Sequence, residues 1–142
     1  MITIDASAII KVIITEEDSE LAKKAFSKIT ENGEPLLSPN IVFSEVMNGL
    51  WKHHILIKDI DIRKLEMAKS SLNSIYDNLG ISSQTELAGD ALKIAINHRI
   101  TFYDSLYVAL SIRMKAPLLT FDRSLSEKAK GIGIELVNIN GF

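Results

Sequence analysis

The chain has 142 residues, 46% of them hydrophobic and 24% charged, with 16 Lys and Arg against 18 Asp and Glu for a net charge of -2. Those values fit one domain, residues 1–142, large enough to bury a core, and they exclude a disordered or fibrous chain. Without cysteine there is no disulfide, thiol nucleophile or thiolate metal site, and no apolar run nears the roughly 18 residues of a membrane span, so the chain is read as cytoplasmic with no membrane partner.

Ile2 and Ile4 alternate with Thr3 and Asp5, which predicts a strand over residues 1–5 ending on an acid, not a basic and apolar signal. Ala6, Ser7 and Ala8 favour a strand-to-helix turn next, although β-branched Ile9, Ile10, Val12 and Ile13 leave helix and strand both open. Leu21, Ala25, Phe26 and Ile29 have helical spacing over residues 18–32, and Gly33 suits a left-handed cap. A short strand is expected over residues 35–38. Ser38 then offers an N-cap and Pro39 a first helical position, for a helix to about residue 54 that buries Val42, Phe43, Val46, Met47 and Leu50. Glu45 and Asn48 share one edge of it. Gly49 costs this helix about 1 kcal/mol relative to alanine; a close packing contact or access to a site would explain it.

Residues 55–59 read as a connection to an amphipathic helix over 61–78, with Leu65, Ala68, Leu72 and Ile75 inward and Gly80 at its end. An extended piece over 81–83 precedes a helix over 85–98. Asp104 opens the next helix, whose apolar residues are Leu106, Val108, Ala109, Leu110 and Ile112; Pro117 ends it, and Leu118 to Phe121 read as a buried strand closed by Asp122. A last helix starts at Ser124 and stops at Gly131, followed by a strand over 134–137. Short strands alternating with helices predict an α/β fold: a central, mostly parallel sheet of four to five strands flanked by helices.

Asp5 and Asp122 fall at the carboxyl ends of predicted strands, where open parallel sheets place ligands. A helix packed back along its following strand can bring Asp104 beside Asp122, and Glu45 lies within a helix of its own. Structural readings compete: Asp5 can cap the helix after it, and Thr101 with Asp104 fits a capping box. That reading is weaker for Asp122, because Ser124 and Glu127 already supply a capping box for the last helix. Acids held together repel unless a cation or a shared proton offsets the charge. Four oxygen donors, with no cysteine and no suitably spaced histidine pair, point to Mg²⁺ or Mn²⁺ rather than zinc. Setting those four aside leaves 14 acids facing 16 Lys and Arg, so the remaining surface is +2 and compatible with a polyanionic substrate.

The strand ending Asp5-Ala6-Ser7, the helical Glu45 followed by Asn48, the run from Tyr103-Asp104-Ser105 to Leu110, and Leu119-Thr120-Phe121-Asp122 together resemble the PIN domain, in particular the VapC-type toxins of prokaryotic toxin-antitoxin pairs. The resemblance spans almost the whole chain, departs at none of the four acids, and lacks a signature from about residue 55 to 98. It implies a metal-dependent endoribonuclease in which Asp5, Glu45, Asp104 and Asp122 converge on one or two divalent ions, Mg²⁺ or Mn²⁺. It implies products with a 5′-phosphate and a 3′-hydroxyl, an RNA substrate, a protein antitoxin and a homodimer. Ser7, Asn48 and Thr120 match polar positions that orient carboxylates or waters; turn chemistry for Ser7 and Thr120, and an edge position for Asn48, are the competing readings. A PIN nuclease of RNA maturation and a catalytically silent PIN-fold binding module are the alternatives.

His53 and His54 point roughly 100° apart on a helix and fit its C-terminal dipole better than a ligand pair. Lys23, Lys24 and Lys28 read as a solvated face, and Phe102, Tyr103, Tyr107 and Phe121 as core. Trp51 and Ile57 fit core or a dimer surface. A receiver-type signalling domain would need adjacent acids after the first strand and a lysine after the last; both are missing.

Overall fold

In the computed structural model, which describes residues 1–142, the chain opens with β1 (Ile2–Ile4), whose three residues are all buried. Such unbroken burial is what a parallel strand covered on both faces shows. β2 (Leu36–Pro39), β3 (Gly80–Ser82) and β4 (Leu118–Leu119) complete one sheet in the order β3-β2-β1-β4, every pair parallel. Ile2 stands opposite Leu36, and Thr3 opposite both Leu37 and Leu118. The predicted final strand over 134–137 reduces to a parallel bridge between Leu118 and Leu136, held by Leu118 N donating to Glu135 O at 2.9 Å and Val137 N donating to Leu118 O at 3.0 Å.

Seven helices link and cover the strands: α1 (Ala6–Ile13), α2 (Ser19–Glu31), α3 (Ile41–Trp51), α4 (Ile62–Tyr76), α5 (Gln84–His98), α6 (Phe102–Met114) and α7 (Arg123–Ile132). α6 is the most deeply set, with every residue from Ser105 to Ser111 buried. A helix buried on all sides shows no apolar stripe, which is why its own sequence gave little sense of direction. The core is a cluster of 19 buried residues centred on Ile4, Ile9, Val46, Leu72 and Leu118, with a satellite of five where Leu87 and Ala91 of α5 meet Leu106, Ala109 and Leu110 of α6.

The structure departs from the sequence expectations at several boundaries. Ser38 and Pro39 belong to β2, not to a helix start; Ser38 Oγ donates to Ile4 O at 2.9 Å, and Pro39 tolerates the strand because it is the last residue of it. Asn40 precedes α3 but turns away from it, and its Oδ1 accepts from Gln84 N at 3.0 Å. The expected connection at residues 55–59 is largely helical: α3 runs on into a π-helical turn, Lys52–Ile57, ended by Lys58 in the left-handed conformation at φ 61°. Thr120 and Phe121 lie beyond β4, and Ile112 is 48% exposed rather than core. Gly33 does take the left-handed cap, at φ 67°. Gly49 answers a packing demand, since a Cβ there would fall 2.4 Å from Ile10 Cδ1 of α1.

Candidate active site

Chain order runs from β1 outward through β2 to β3 and then returns to the other side of β1 for β4. The switch point therefore lies between β1 and β4, and a crevice opens over their carboxyl ends. Asp5 follows β1 directly and Asp122 is the third residue after β4, so the topology sets both at this crevice. Glu45 comes from α3 and Asp104 from the first turn of α6. All four acids line one cleft of about 460 Å³, together with Ser7, Asn48 and Tyr107.

Asp5 is 4% exposed and fully engaged. Its Oδ1 accepts from Ala8 N at 3.0 Å, which makes it the N-cap of α1, and from Ser7 Oγ at 2.7 Å; its Oδ2 accepts from Thr120 Oγ1 at 2.5 Å. Ser7 Oγ in turn accepts from Phe121 N at 2.9 Å, and Thr120 Oγ1 from Asp122 N at 3.0 Å. The two hydroxyls thus tie the end of β1 to the turn after β4. Thr120 sits behind Asp5 and does not line the cleft, whereas Asn48 lines it as an exposed residue of α3.

One capping assignment changes and one holds. Asp122, not Ser124, caps α7, its Oδ1 accepting from Leu125 N at 2.9 Å. Thr101 caps α6 as the capping box requires, its Oγ1 accepting from Asp104 N at 3.1 Å. Asp104 is thus the third residue of α6 and not the cap itself, while Asp5 and Asp122 serve as caps and as walls of the cleft at once. The amino ends of α1, α6 and α7 all meet here, and their partial positive charge offsets part of the carboxylate repulsion.

Burial pushes the Asp5 carboxyl up from 3.8 to about 6; Thr120, Ala8 and Ser7 oppose the rise and the Asp122 charge adds to it. Burial also raises Glu45, against the Tyr107 hydrogen bond and with help from Asp104. Asp104 is raised by burial and then by Asp122, with Thr101 opposing. The acids therefore feel one another as a group. They ring the cleft without forming a knot: no three acidic or histidine side chains stand close enough, as arranged, to enclose a single ion. The donor set fits a hard divalent cation, being oxygen only, mutually repulsive and at most half satisfied by the chain outside Asp5.

Tyr107, expected only as core, is buried at 2% exposure and donates from Oη to Glu45 Oε1 at 2.6 Å. Tyr107 lies three residues after Asp104 and so on the same face of α6, but only the packing of α6 on α3 brings it to Glu45. At the other end of the cleft are Lys11, Glu16, Lys52 and His53. His53 is not a helix-end residue in water but a buried link, with Nδ1 2.9 Å from Asp59 Oδ1 and Nε2 3.2 Å from Glu16 Oε2. Glu45, Gly49, Lys52 and His53 follow one face of α3 and its π-helical turn, a spacing visible in sequence once the helix is known to continue.

The parallel sheet and the carboxylates gathered over its switch point define an α/β domain with an acidic crevice. The chain belongs to the PIN-domain family, whose model matches residues 2–131. Ribonuclease VapC3 of Pyrobaculum aerophilum is 37% identical over 130 residues, spanning 89% of this chain and 93% of that protein. The crystal structure of VapC20 from Mycobacterium tuberculosis, described as a sarcin-ricin loop cleaving toxin, superposes with a TM-score of 0.72 at 15% identity and covers 96% of this chain and 98% of that one. A toxin-antitoxin complex from Klebsiella pneumoniae gives 0.60 at 16% identity, with 84% and 85% covered. At those identities the two structures speak for the fold alone.

Proposed function

We propose that this chain is a divalent-metal-dependent endoribonuclease, the toxin of a toxin-antitoxin pair, and that Asp5, Glu45, Asp104 and Asp122 hold one or two Mg²⁺ or Mn²⁺ ions. The observation that carries the reading is the lining of one cleft by acids from four separate elements, above the switch point of a parallel sheet. The similarity to Ribonuclease VapC3 supports RNA as the substrate, and the antitoxin partner is proposed on the resemblance of the sequence motifs to VapC-type toxins.

When bound, a divalent ion lowers the pKa of an attacking water and neutralises charge that develops on the phosphate. The chain's own residues prepare that chemistry. Ser7, Ala8 and Thr120 fix Asp5 in one orientation, so it enters the reaction with little freedom left to lose. Asp104, half-buried, and Asp122, exposed, would offer the more accessible carboxylate oxygens to such an ion. The amino ends of α1, α6 and α7 bring partial positive charge to the cleft, which would favour a phosphate there. In this reading Ser7 and Thr120 orient Asp5, and Asn48 meets water or RNA at the rim. Hydrolysis leaves a 5′-phosphate and a 3′-hydroxyl.

The test is incubation of the purified chain with structured RNAs in Mg²⁺ or Mn²⁺ and in EDTA. Cleavage with either metal and none in EDTA is the expected result; equal cleavage in excess EDTA would reject the mechanism. A homodimer is part of the same proposal. Trp51, Leu56 and Ile57, along α3 and its π-helical turn, stay exposed and favour association. Light scattering at tens of micromolar should give twice 15.8 kDa, and a monomer mass would remove that part.

A further inference from the structure

Glu45 differs from the other three acids in having no local support. Asp5 and Asp122 are N-caps, and Asp104 sits one turn from the cap of α6 with the Thr101 hydroxyl beside it. Glu45 projects from the middle of α3 on three rotatable bonds, and only one group of the chain holds its carboxylate. That group is the Tyr107 hydroxyl, which donates to Glu45 Oε1 at 2.6 Å.

The hydroxyl is well placed to impose a position. Tyr107 is locked by burial in α6, with Leu106 and Val108 buried on either side. The bond runs from α6 to α3, so the Glu45 carboxylate is held by a second element that is itself buried. The bond occupies Oε1 and leaves Oε2 without a partner from the chain. A packing role explains the aromatic ring but not the hydroxyl, since phenylalanine fills the same volume without importing a buried polar atom.

We propose that Tyr107 is a positioning residue, whose hydroxyl holds Glu45 through Oε1 so that Oε2 is presented to a divalent cation in the cleft. The proposal rests on the metal-nuclease reading above. The phenol is the donor because an ionised carboxylate offers only acceptor oxygens. A buried donor on a carboxylate is the arrangement by which partners of metal ligands set orientation.

Tyr107→Phe removes the hydroxyl and keeps the ring. Three measurements on the intact chain decide the role: a thermal melt in EDTA, calorimetric titration with Mn²⁺, and the Mn²⁺ concentration that gives half-maximal RNA cleavage. The expected result is a melt within a few degrees of wild type, Mn²⁺ affinity lower by about tenfold to a hundredfold, and a half-saturating concentration raised by the same factor. Saturating Mn²⁺ should restore most of the cleavage rate. Mn²⁺ affinity at the wild-type value would overturn the role while leaving the nuclease reading intact. Loss of the fold in EDTA would also overturn it, because the hydroxyl would then be a structural group. A wild-type chain that takes up no Mn²⁺ would remove the nuclease reading, and this role with it.

Discussion

Asp122 shows how one carboxylate carries two functions that sequence cannot separate. It lines the cleft, and it caps α7 through Leu125 N at 2.9 Å. Ser124 and Glu127 formed a plausible capping box on paper, yet the helix begins one residue earlier, at Arg123, and leaves the box unused. Asparagine caps as well as aspartate but lacks the charge, whereas alanine does neither. Asp122→Asn should therefore abolish cleavage with a melt in EDTA close to wild type, and Asp122→Ala should abolish cleavage and lose about 1 kcal/mol of stability. Identical melts for the two variants would show that the cap contributes nothing to α7. The four acids were legible because three of them follow strand or helix boundaries, where the reason for an acid can be argued. The Tyr107 contact to Glu45 was not, because an aromatic residue amid Leu106, Val108 and Ala109 reads as core. It is core, and the hydrogen bond depends on α3 and α6 meeting, a fact of packing that no local pattern holds.

At the scale of elements, helix existence was legible and helix ends were not. The apolar spacing in α2 and α4 follows from one buried face each, so period and burial agree: Ala22, Ala25 and Ile29 in α2, Ala68 and Leu72 in α4. α3 extends further than its pattern because His53 is anchored between Glu16 and Asp59, two contacts made by other segments, and the π-helical turn carries it there. π-helical turns recur beside functional sites because the wider turn re-aims side chains, and here the re-aimed Lys52 and His53 close the far end of the cleft. Gly49 belongs to the same geometry. It lets α1 and α3 approach until Ile10 nearly touches the α3 backbone, which sets the floor of the cleft between them. The final strand failed for a related reason. Leu136 makes one bridge to Leu118, but β4 is only two residues long, so it offers too short an edge for a fifth strand to follow.

For the whole molecule, gathering acids into one cleft sets the stability of the metal-free fold against pH. Asp5, Glu45 and Asp104 all have carboxyl pKa values raised by burial, and Asp5 reaches about 6 from 3.8. A raised pKa means that the folded chain holds protons the unfolded chain has released, so stability falls as pH rises between the two values. The contribution of Asp5 is fully present below about pH 4 and is lost by the time pH passes about 6, amounting to about 3 kcal/mol at 1.4 kcal/mol per unit. This runs opposite to ordinary acid denaturation, in which paired carboxylates lose stability on protonation. In EDTA and at low ionic strength, the melting temperature should therefore be higher at pH 5 than at pH 7.5. Asp104→Asn removes one of the interacting charges while Thr101 still caps α6, so at pH 7.5 in EDTA the variant should be at least as stable as wild type. If the proposed site holds Mn²⁺ in the folded chain alone, the ion competes with those protons, so its protection should be larger at pH 7.5 than at pH 5, and larger for wild type than for the variant. A variant clearly less stable than wild type in EDTA would mean that Asp104 supports the fold more than it strains it, and would take away the electrostatic case for placing it among the metal ligands.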